Sequence, residues 1–182
     1  MNVMYRFLLR YRPALVFGAK MVACYVLWDV AYRQGLGPDG RLDAWLSAHV
    51  VQASGGVLRL LGYPVFAEGR IVGIEGMPGL LIVDGCNGLA PIGLFAGFVL
   101  AYPGRMLRRV SFLPAGMLVV CLCNVARVVL LALLQRHWEA GFDFVHDLGA
   151  SAIFYGVIFV LWVVWANYGT PGPQRVRMRV AV

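Results

Sequence analysis

Four long apolar segments constrain this chain more than any other feature of its sequence. They cover residues 13–31, 89–102, 110–135 and 148–168. A helix needs about 20 apolar residues to cross a hydrocarbon core of roughly 30 Å, so the second segment is short and its helix should begin within the polar stretch 84–88. With 60% hydrophobic and 14% charged residues, the chain is too apolar for an ordinary soluble domain. The sequence therefore predicts an all-α polytopic membrane protein with four transmembrane helices, forming one membrane domain over residues 1–182.

Positive charge is concentrated in three of the parts that flank or connect these segments. They are the N-terminus, the second connection and the tail 169–182, and their clustered arginines are Arg6, Arg10, Arg12, Arg105, Arg108, Arg109, Arg175, Arg177 and Arg179. Four crossings place these three parts on one side, while eight of the nine acidic residues lie in the other two connections. The positive-inside bias then predicts cytoplasmic termini and a cytoplasmic tail in a multi-pass inner or plasma membrane protein.

The same charge distribution bears on the partners of the chain. A net charge of +7 is compatible with nucleic-acid binding. Because topology already explains where the arginines lie, we expect the lipid bilayer as a partner and no nucleic acid.

Residues 32–88 form the predicted extracytoplasmic insertion, which contains a helix and a small β element. Asp43 is a plausible helix N-cap, and apolar residues follow it at helical spacing: Leu46, Val50, Ala53, Val57 and Leu60. We expect this helix to lie at the membrane interface and to be broken at Gly55–Gly56. The β-branched residues and glycine turns that follow predict a β-hairpin or meander of two or three strands.

Cys86 lies outside the apolar segments, between the flexible residues Gly85 and Gly88. If the second helix begins at Gly88 or Leu89, its unpaired amides and positive dipole end would favour a reactive thiolate. The same amides could bind an oxyanion, and the glycines would let a substrate backbone approach closely. The alternative is an incidental thiol beside a turn.

Two polar side chains lie inside the third apolar segment. Asn124 and Arg127 are three residues apart and share a helix face. Arg127 lies about 12 Å from the end of that segment, where a guanidinium should face the bundle interior or a wet cavity. The alternative is a side chain that reaches back to the interface.

His146 precedes the fourth segment, with Asp143 and Asp147 close to it in sequence. An imidazole titrates near neutrality and a neighbouring carboxylate can fix its tautomer, although a lone interfacial histidine is often only a surface residue. Because successive helices run in opposite directions, Cys86, Arg127 and His146 should meet at one end of the bundle. Two faces of small residues should bring the helices together, and their members are Gly93 and Gly97, then Ala152 and Gly156.

The ordered blocks "CNG", "NVAR" and "HDLG" resemble the signature blocks of the exosortase/archaeosortase family of membrane transpeptidases. The resemblance implies that the catalytic cysteine, arginine and histidine are Cys86, Arg127 and His146, and that Asn124 is the asparagine that commonly precedes the arginine. Asn87–Gly88 stands where many members have Ser-Gly, and better-known members have more spans. The chain therefore resembles a short, divergent member.

Residues and resemblance together predict a cysteine transpeptidase or peptidase with an extracytoplasmic active site. Its expected substrates are membrane-anchored exported proteins with a C-terminal sorting signal, which are passed through a thioacyl-enzyme to an unknown envelope acceptor or to water. Asn124, Asn87, Gly88, Asp143 and Asp147 would support the catalytic residues, and no metal or organic cofactor is required. The alternatives are a non-catalytic membrane scaffold and a small transporter component of an envelope export system.

Overall fold

The computed structural model describes residues 3–138, 142 and 150–169, which are mostly helical. The helices are α1 (Val3–Ala31), α2 (Gly37–Asp39), α3 (Arg41–Leu60), α4 (Leu89–Ala101), α5 (Met106–His137) and α6 (Ala150–Tyr168). The strands are β1 (Val65–Glu68), β2 (Ile71–Ile74) and β3 (Leu80–Leu81). A π-helical turn, Tyr32–Leu36, follows α1, and a 3₁₀ turn, Asp84–Cys86, precedes α4. The predicted helical class and the small β element are confirmed.

The apolar helices differ in length. Within the described residues, two stretches are long and apolar enough to cross a membrane, Arg10–Asp39 and Met106–His137. Leu89–Ala101 and Phe154–Tyr168 are apolar but shorter. The 13 residues of α4 extend over about 20 Å at 1.5 Å per residue, which is less than a hydrocarbon core. Length and hydropathy alone thus select two of the four predicted spans.

The three strands form an antiparallel sheet in the order β1-β2-β3. One face of this sheet packs on α3, where a Cβ on Gly55 would lie 3.1 Å from the Cβ of Ala67. The absence of a side chain at Gly55 therefore lets the sheet approach the helix closely. The expected helix break at Gly55–Gly56 is wrong, since α3 is continuous from Arg41 to Leu60 and Gly55 packs against the sheet as part of that helix.

The start of α3 also differs from the prediction. Gly40, with φ of +65°, is the N-cap, and Asp43 lies inside the first turn with 2% of its surface exposed. Asp43 is therefore not the cap, and its carboxylate is directed into the protein. Three of the residues expected on one apolar face are exposed, whereas the buried positions include two serines: Ser47, Val50, Val51, Ser54 and Leu58.

Two hydrophobic cores lie along the molecule. The sheet core joins α3, the sheet and the C-terminal half of α5, and its buried members are Val50, Val51, Leu58, Val72, Ile74, Ile82, Val128, Val129 and Ala132. The bundle core joins α4, the N-terminal half of α5 and α6, and its buried members are Phe95, Val99, Val120, Phe154, Ile158 and Trp165. Helix α5 contributes to both cores, so it sets the position of one relative to the other.

Glycines determine how closely the bundle helices pack. A Cβ on Gly116 of α5 would lie 2.1 Å from the ring of Phe95 on α4, and one on Gly93 would lie 2.7 Å from Trp28 on α1. The face of Gly93 and Gly97 therefore packs α4 against α1, instead of joining the helices that carry the catalytic candidates. The expected small-residue contact of α6 is wrong, because Gly156 has no other described atom within 4 Å of an added Cβ.

Arginines connect α5 to α6 at the end of the bundle that is opposite to Cys86. Arg108 donates to the carbonyl of Tyr168, and its guanidinium lies 5.0 Å from the centre of that ring. The Arg105 amide donates to the Gly169 carbonyl at 3.0 Å. These contacts hold the C-terminal end of α6 against the N-terminal end of α5.

Candidate functional site

Cys86 lies at the end of the 3₁₀ turn that leads from the sheet into α4. Its amide donates to the carbonyl of Val83 at 2.8 Å, and its side chain is half-buried. Gly88 then adopts a φ of +93°, and α4 begins at Leu89. The thiol is thus placed next to a helix N-terminus, as the position of Cys86 in the sequence predicts.

Asn87 directly precedes Gly88, the N-cap of that helix, and is 2% exposed. Its Oδ1 accepts a hydrogen bond from the Leu89 amide at 3.0 Å. Pro91 has no amide hydrogen to offer. Among the first three residues of α4, Leu89 to Pro91, this leaves the Ala90 amide as the one N–H without a partner in the described part of the chain. Helix α4 therefore offers an oxyanion fewer amides than its bare N-terminus would, and this increases the need for a side-chain donor.

A buried carboxylate holds Asn87 in place. The Nδ2 of Asn87 donates to Asp43 Oδ1 at 2.6 Å, and the hydroxyl of Tyr32 donates to Asp43 Oδ2 at 3.1 Å. A buried carboxylate is costly unless its oxygens accept hydrogen bonds, and both oxygens do so here. Asp43 therefore connects the turn after α1, the first turn of α3 and the loop of Cys86.

A second set of polar contacts holds the start of the cysteine turn. Arg70, between β1 and β2, donates to Ser47 Oγ at 2.8 Å and forms a salt bridge with Asp84. Ser47 is fully buried on α3, while Asp84 is the first residue of the turn that ends at Cys86. The guanidinium thus joins the helix, the sheet and the cysteine turn.

Asn124 contacts the cysteine loop from the other side. Its Nδ2 donates to the Cys86 carbonyl at 3.0 Å, and its side chain is 1% exposed. A Cβ on Gly88 would lie 3.3 Å from that Nδ2. Both the positive φ at position 88 and this close approach favour glycine there. Asn124 therefore holds the backbone of the thiol-bearing residue.

Arg127 lies one turn further along α5 and shares a cavity with Cys86. The cavity has a volume of about 260 Å³, and its lining residues are Gly79, Leu80, Leu81, Ile82, Cys86, Arg127, Val128, Leu131, Gln135 and Phe142. The buried Nε of Arg127 and the buried Oε1 of Gln135 have no hydrogen-bond partner among the described residues. Cys86, Arg127 and Gln135 therefore line one space, and the last two each carry a buried polar atom that has no partner among the described residues.

The third catalytic candidate, His146, lies outside the described residues, as do Asp143 and Asp147. Phe142, four residues before His146 in the sequence, lines the cavity.

Sequence reasoning missed Tyr32, Ser47, Arg70 and Gln135, and it gave Asp43 a different role. These residues lie up to about 100 positions apart in the sequence, and short-range periodicity does not pair them. The one available signal was that Asp43 and Ser47 share a helix face at a spacing of four residues. No group of three or more His, Cys, Asp or Glu side chains able to hold a metal ion occurs in the described part of the chain.

Comparison with known sequences identifies the family. A sequence model of the transmembrane exosortase family matches residues 11–163. The chain belongs to this family. The match covers most of the 182 residues and includes Cys86, Asn124, Arg127 and His146, so it confirms the family that the three short blocks predict. No curated protein and no solved structure gives a significant match to this exosortase family member.

Proposed function

We propose that this exosortase family member is a cysteine transpeptidase or peptidase that cleaves the C-terminal sorting signals of exported, membrane-anchored proteins. The observation that carries the proposal is the cavity lined by both Cys86 and Arg127. The two residues are 41 positions apart in the sequence, and the family match is the second support.

In the proposed reaction, His146 takes the proton of the Cys86 thiol, and the resulting thiolate attacks a peptide carbonyl near the substrate's transmembrane tail. A sulfur–carbon bond forms, and the negative charge moves to the carbonyl oxygen. The carbon–nitrogen bond then breaks, and His146 donates a proton to the departing amine. An envelope amine or water, deprotonated by His146, attacks the thioester and releases the thiolate, which regains its proton from His146, so that the enzyme returns to its initial state.

Arg127 would stabilise the oxyanion. Its buried Nε has no acceptor among the described residues, and an unsatisfied buried donor is costly unless a ligand satisfies it. Because Asn87 and Pro91 reduce the free amides at the start of α4, the guanidinium is the donor best placed to contact the developing charge.

The proposed arrangement in the membrane has four spans, cytoplasmic termini and an extracytoplasmic Cys86. It is supported by the many large apolar side chains exposed on α1 and α6, such as Leu27 at 70% and Phe159 at 62%, which a bilayer would cover. Single-cysteine variants in intact cells and in opened membranes, treated with an impermeant thiol reagent, test this arrangement. Labelling of Cys86 only after the membrane is opened would contradict the mechanism.

The catalytic proposal is tested by trapping the acyl-enzyme. The enzyme is co-expressed with a candidate substrate, which is a protein encoded by a neighbouring gene and ending in a short motif, an apolar span and a basic C-terminus. Hydroxylamine is then added. Mass spectrometry should find a hydroxamate at the cleavage point with the wild-type protein and with the control Cys121→Ala. It should find none with Cys86→Ala and much less with His146→Ala. Processing that survives Cys86→Ala would instead indicate a non-catalytic scaffold or a transporter component.

A further inference from the structure

No strand among the described residues pairs with the outer edge of β3, which is therefore called the free edge of the sheet. The Ile82 amide donates to the Arg70 carbonyl at 2.8 Å, and the next pair in the register is Ile71 with Leu81. Hydrogen-bonded and non-hydrogen-bonded pairs alternate in an antiparallel ladder. The N–H and C=O of Leu81 therefore point away from β2, and neither has a partner among the described residues. Leu81 is 60% exposed.

This free edge lies on the cavity that contains the thiol. Residues 79–82 line the same space as Cys86 and Arg127. Gln135 also lines this space, and its buried Oε1 has no hydrogen-bond partner among the described residues. It lies eight residues from Arg127 on α5, which is about 12 Å along the helix axis. An extended peptide covers that distance with three to four residues at about 3.3 Å each.

We propose that the substrate binds as an added strand on the free edge of β3, with its backbone hydrogen-bonded to Leu81 and its scissile carbonyl between Cys86 and Arg127. A backbone N–H of the same peptide donates to Gln135. Main-chain pairing at a sheet edge is an established mode of peptide recognition, and it also satisfies a strand edge that is otherwise open. The ligand class is an extended peptide, read mainly through its backbone. This inference rests on the proposed function of Cys86.

Alkylation of Cys86 by a peptide reagent tests the pairing without a natural substrate. The probe is an acetylated trialanyl chloromethyl ketone, from which the thiolate displaces chloride. Its rate with the detergent-solubilised full chain is followed by site-resolved mass spectrometry. Iodoacetamide, which has no peptide backbone, reports the intrinsic reactivity of the thiol. A trialanyl reagent with N-methylated amides lacks the donors that pairing requires.

Leu81→Pro removes the outward N–H and leaves the bonds to β2 intact, because proline is tolerated at a strand edge. Leu81→Ala is the matched control, since it loses the side chain but keeps the N–H. We expect Leu81→Pro to lower the rate of the peptide reagent about 10-fold relative to Leu81→Ala, as for loss of one or two hydrogen bonds. The iodoacetamide rate should be unchanged, and Gln135→Met should slow the peptide reagent alone.

Equal peptide rates for Leu81→Pro and Leu81→Ala, with normal iodoacetamide labelling, would overturn the strand pairing. That result would leave the hydroxamate test of the proposed function untouched. If Leu81→Pro also changes the iodoacetamide rate, the wild-type protein decides by itself. In the wild-type protein, the trialanyl reagent should alkylate Cys86 faster than a simple chloromethyl ketone, and N-methylation of its amides should remove this difference in rate. An unchanged difference would refute the pairing.

Discussion

The sheet core and the bundle core are built from different side chains. The sheet core is entirely aliphatic, and the neighbouring face of α3 buries the polar residues Asp43, Ser47 and Ser54. The bundle core contains Phe95, Phe154 and Trp165 and depends on glycines for close packing. The polar groups that hold the cysteine loop therefore come mostly from the sheet side, while the bundle supplies a rigid frame.

Helix α5 shows where the two regions meet. Val120 belongs to the bundle core and Val128 to the sheet core, and Asn124 lies midway between them with its amide on the Cys86 carbonyl. The cysteine loop is held by both regions, through Asn124 and through Asp43. Substitutions in the bundle should therefore reduce stability, whereas those at the junction or on the sheet side should alter the chemistry of Cys86.

The largest effect is expected at the junction itself. Arg127→Lys should reduce substrate processing by about 100-fold, because a flexible point charge does not replace a planar guanidinium donor. Processing is measured by the rate at which the co-expressed substrate is shortened, together with the amount of enzyme in the membrane. Arg136→Lys, at the exposed end of α5, is the matched control and should be close to wild type. Normal processing by Arg127→Lys would assign Arg127 to packing.

In the bundle, Gly116→Ala should lower the free energy of unfolding by about 2 kcal/mol, as overpacking does. The added Cβ would lie 2.1 Å from the Phe95 ring, which has no free space to move into because Phe95 is fully buried. Gly156→Ala is the control, since its Cβ meets no other described atom within 4 Å, and it should stabilise the helix by about 0.5–1 kcal/mol. Unfolding in detergent measures both. Equal effects would mean that the bundle tolerates overpacking there.

The sequence predicts the helical class and the small sheet, because these depend on local hydropathy and turn residues. Alternating helix direction predicts that Cys86, Arg127 and His146 meet, and of these the structure describes Cys86 and Arg127, which line one cavity. The sequence does not predict which face of α3 is buried. Leu46, Val50 and Ala53 gave an apolar periodicity, yet the buried face also contains Ser47 and Ser54. The partners of this face, such as Arg70, come from distant parts of the chain. Tertiary hydrogen bonds of this kind leave no periodic signal in the sequence.

On the sheet side, Asp43→Ala should lower the free energy of unfolding by about 1–3 kcal/mol, because it leaves the buried amide of Asn87 without its acceptor. It should also change the rate at which iodoacetamide alkylates Cys86, since the loop that carries Cys86 and Asn87 loses a contact that holds it. Asp43→Asn keeps an oxygen for Asn87 and should lie closer to wild type. Tyr32→Phe should affect stability without changing the alkylation rate. The same alkylation rate in Asp43→Ala and wild type would show that the bundle alone holds the loop.

The smallest effect is expected for the other sheet-side contact, the salt bridge of Arg70 with Asp84. Its side chains are 36% and 55% exposed, and exposed ion pairs contribute about 0–1 kcal/mol, less at high salt. Asp84→Asn should therefore lower the free energy of unfolding by under about 1 kcal/mol, because Ser47 still holds Arg70. The difference from wild type should shrink at high salt. Arg41→Gln, which removes the more exposed pair with Asp39 at 3.5 Å, is the control and should be nearly neutral in unfolding and in Cys86 alkylation. If Asp84→Asn instead proves more damaging than Asp43→Ala, the sheet holds the cysteine turn through Arg70, and the buried carboxylate is the secondary contact.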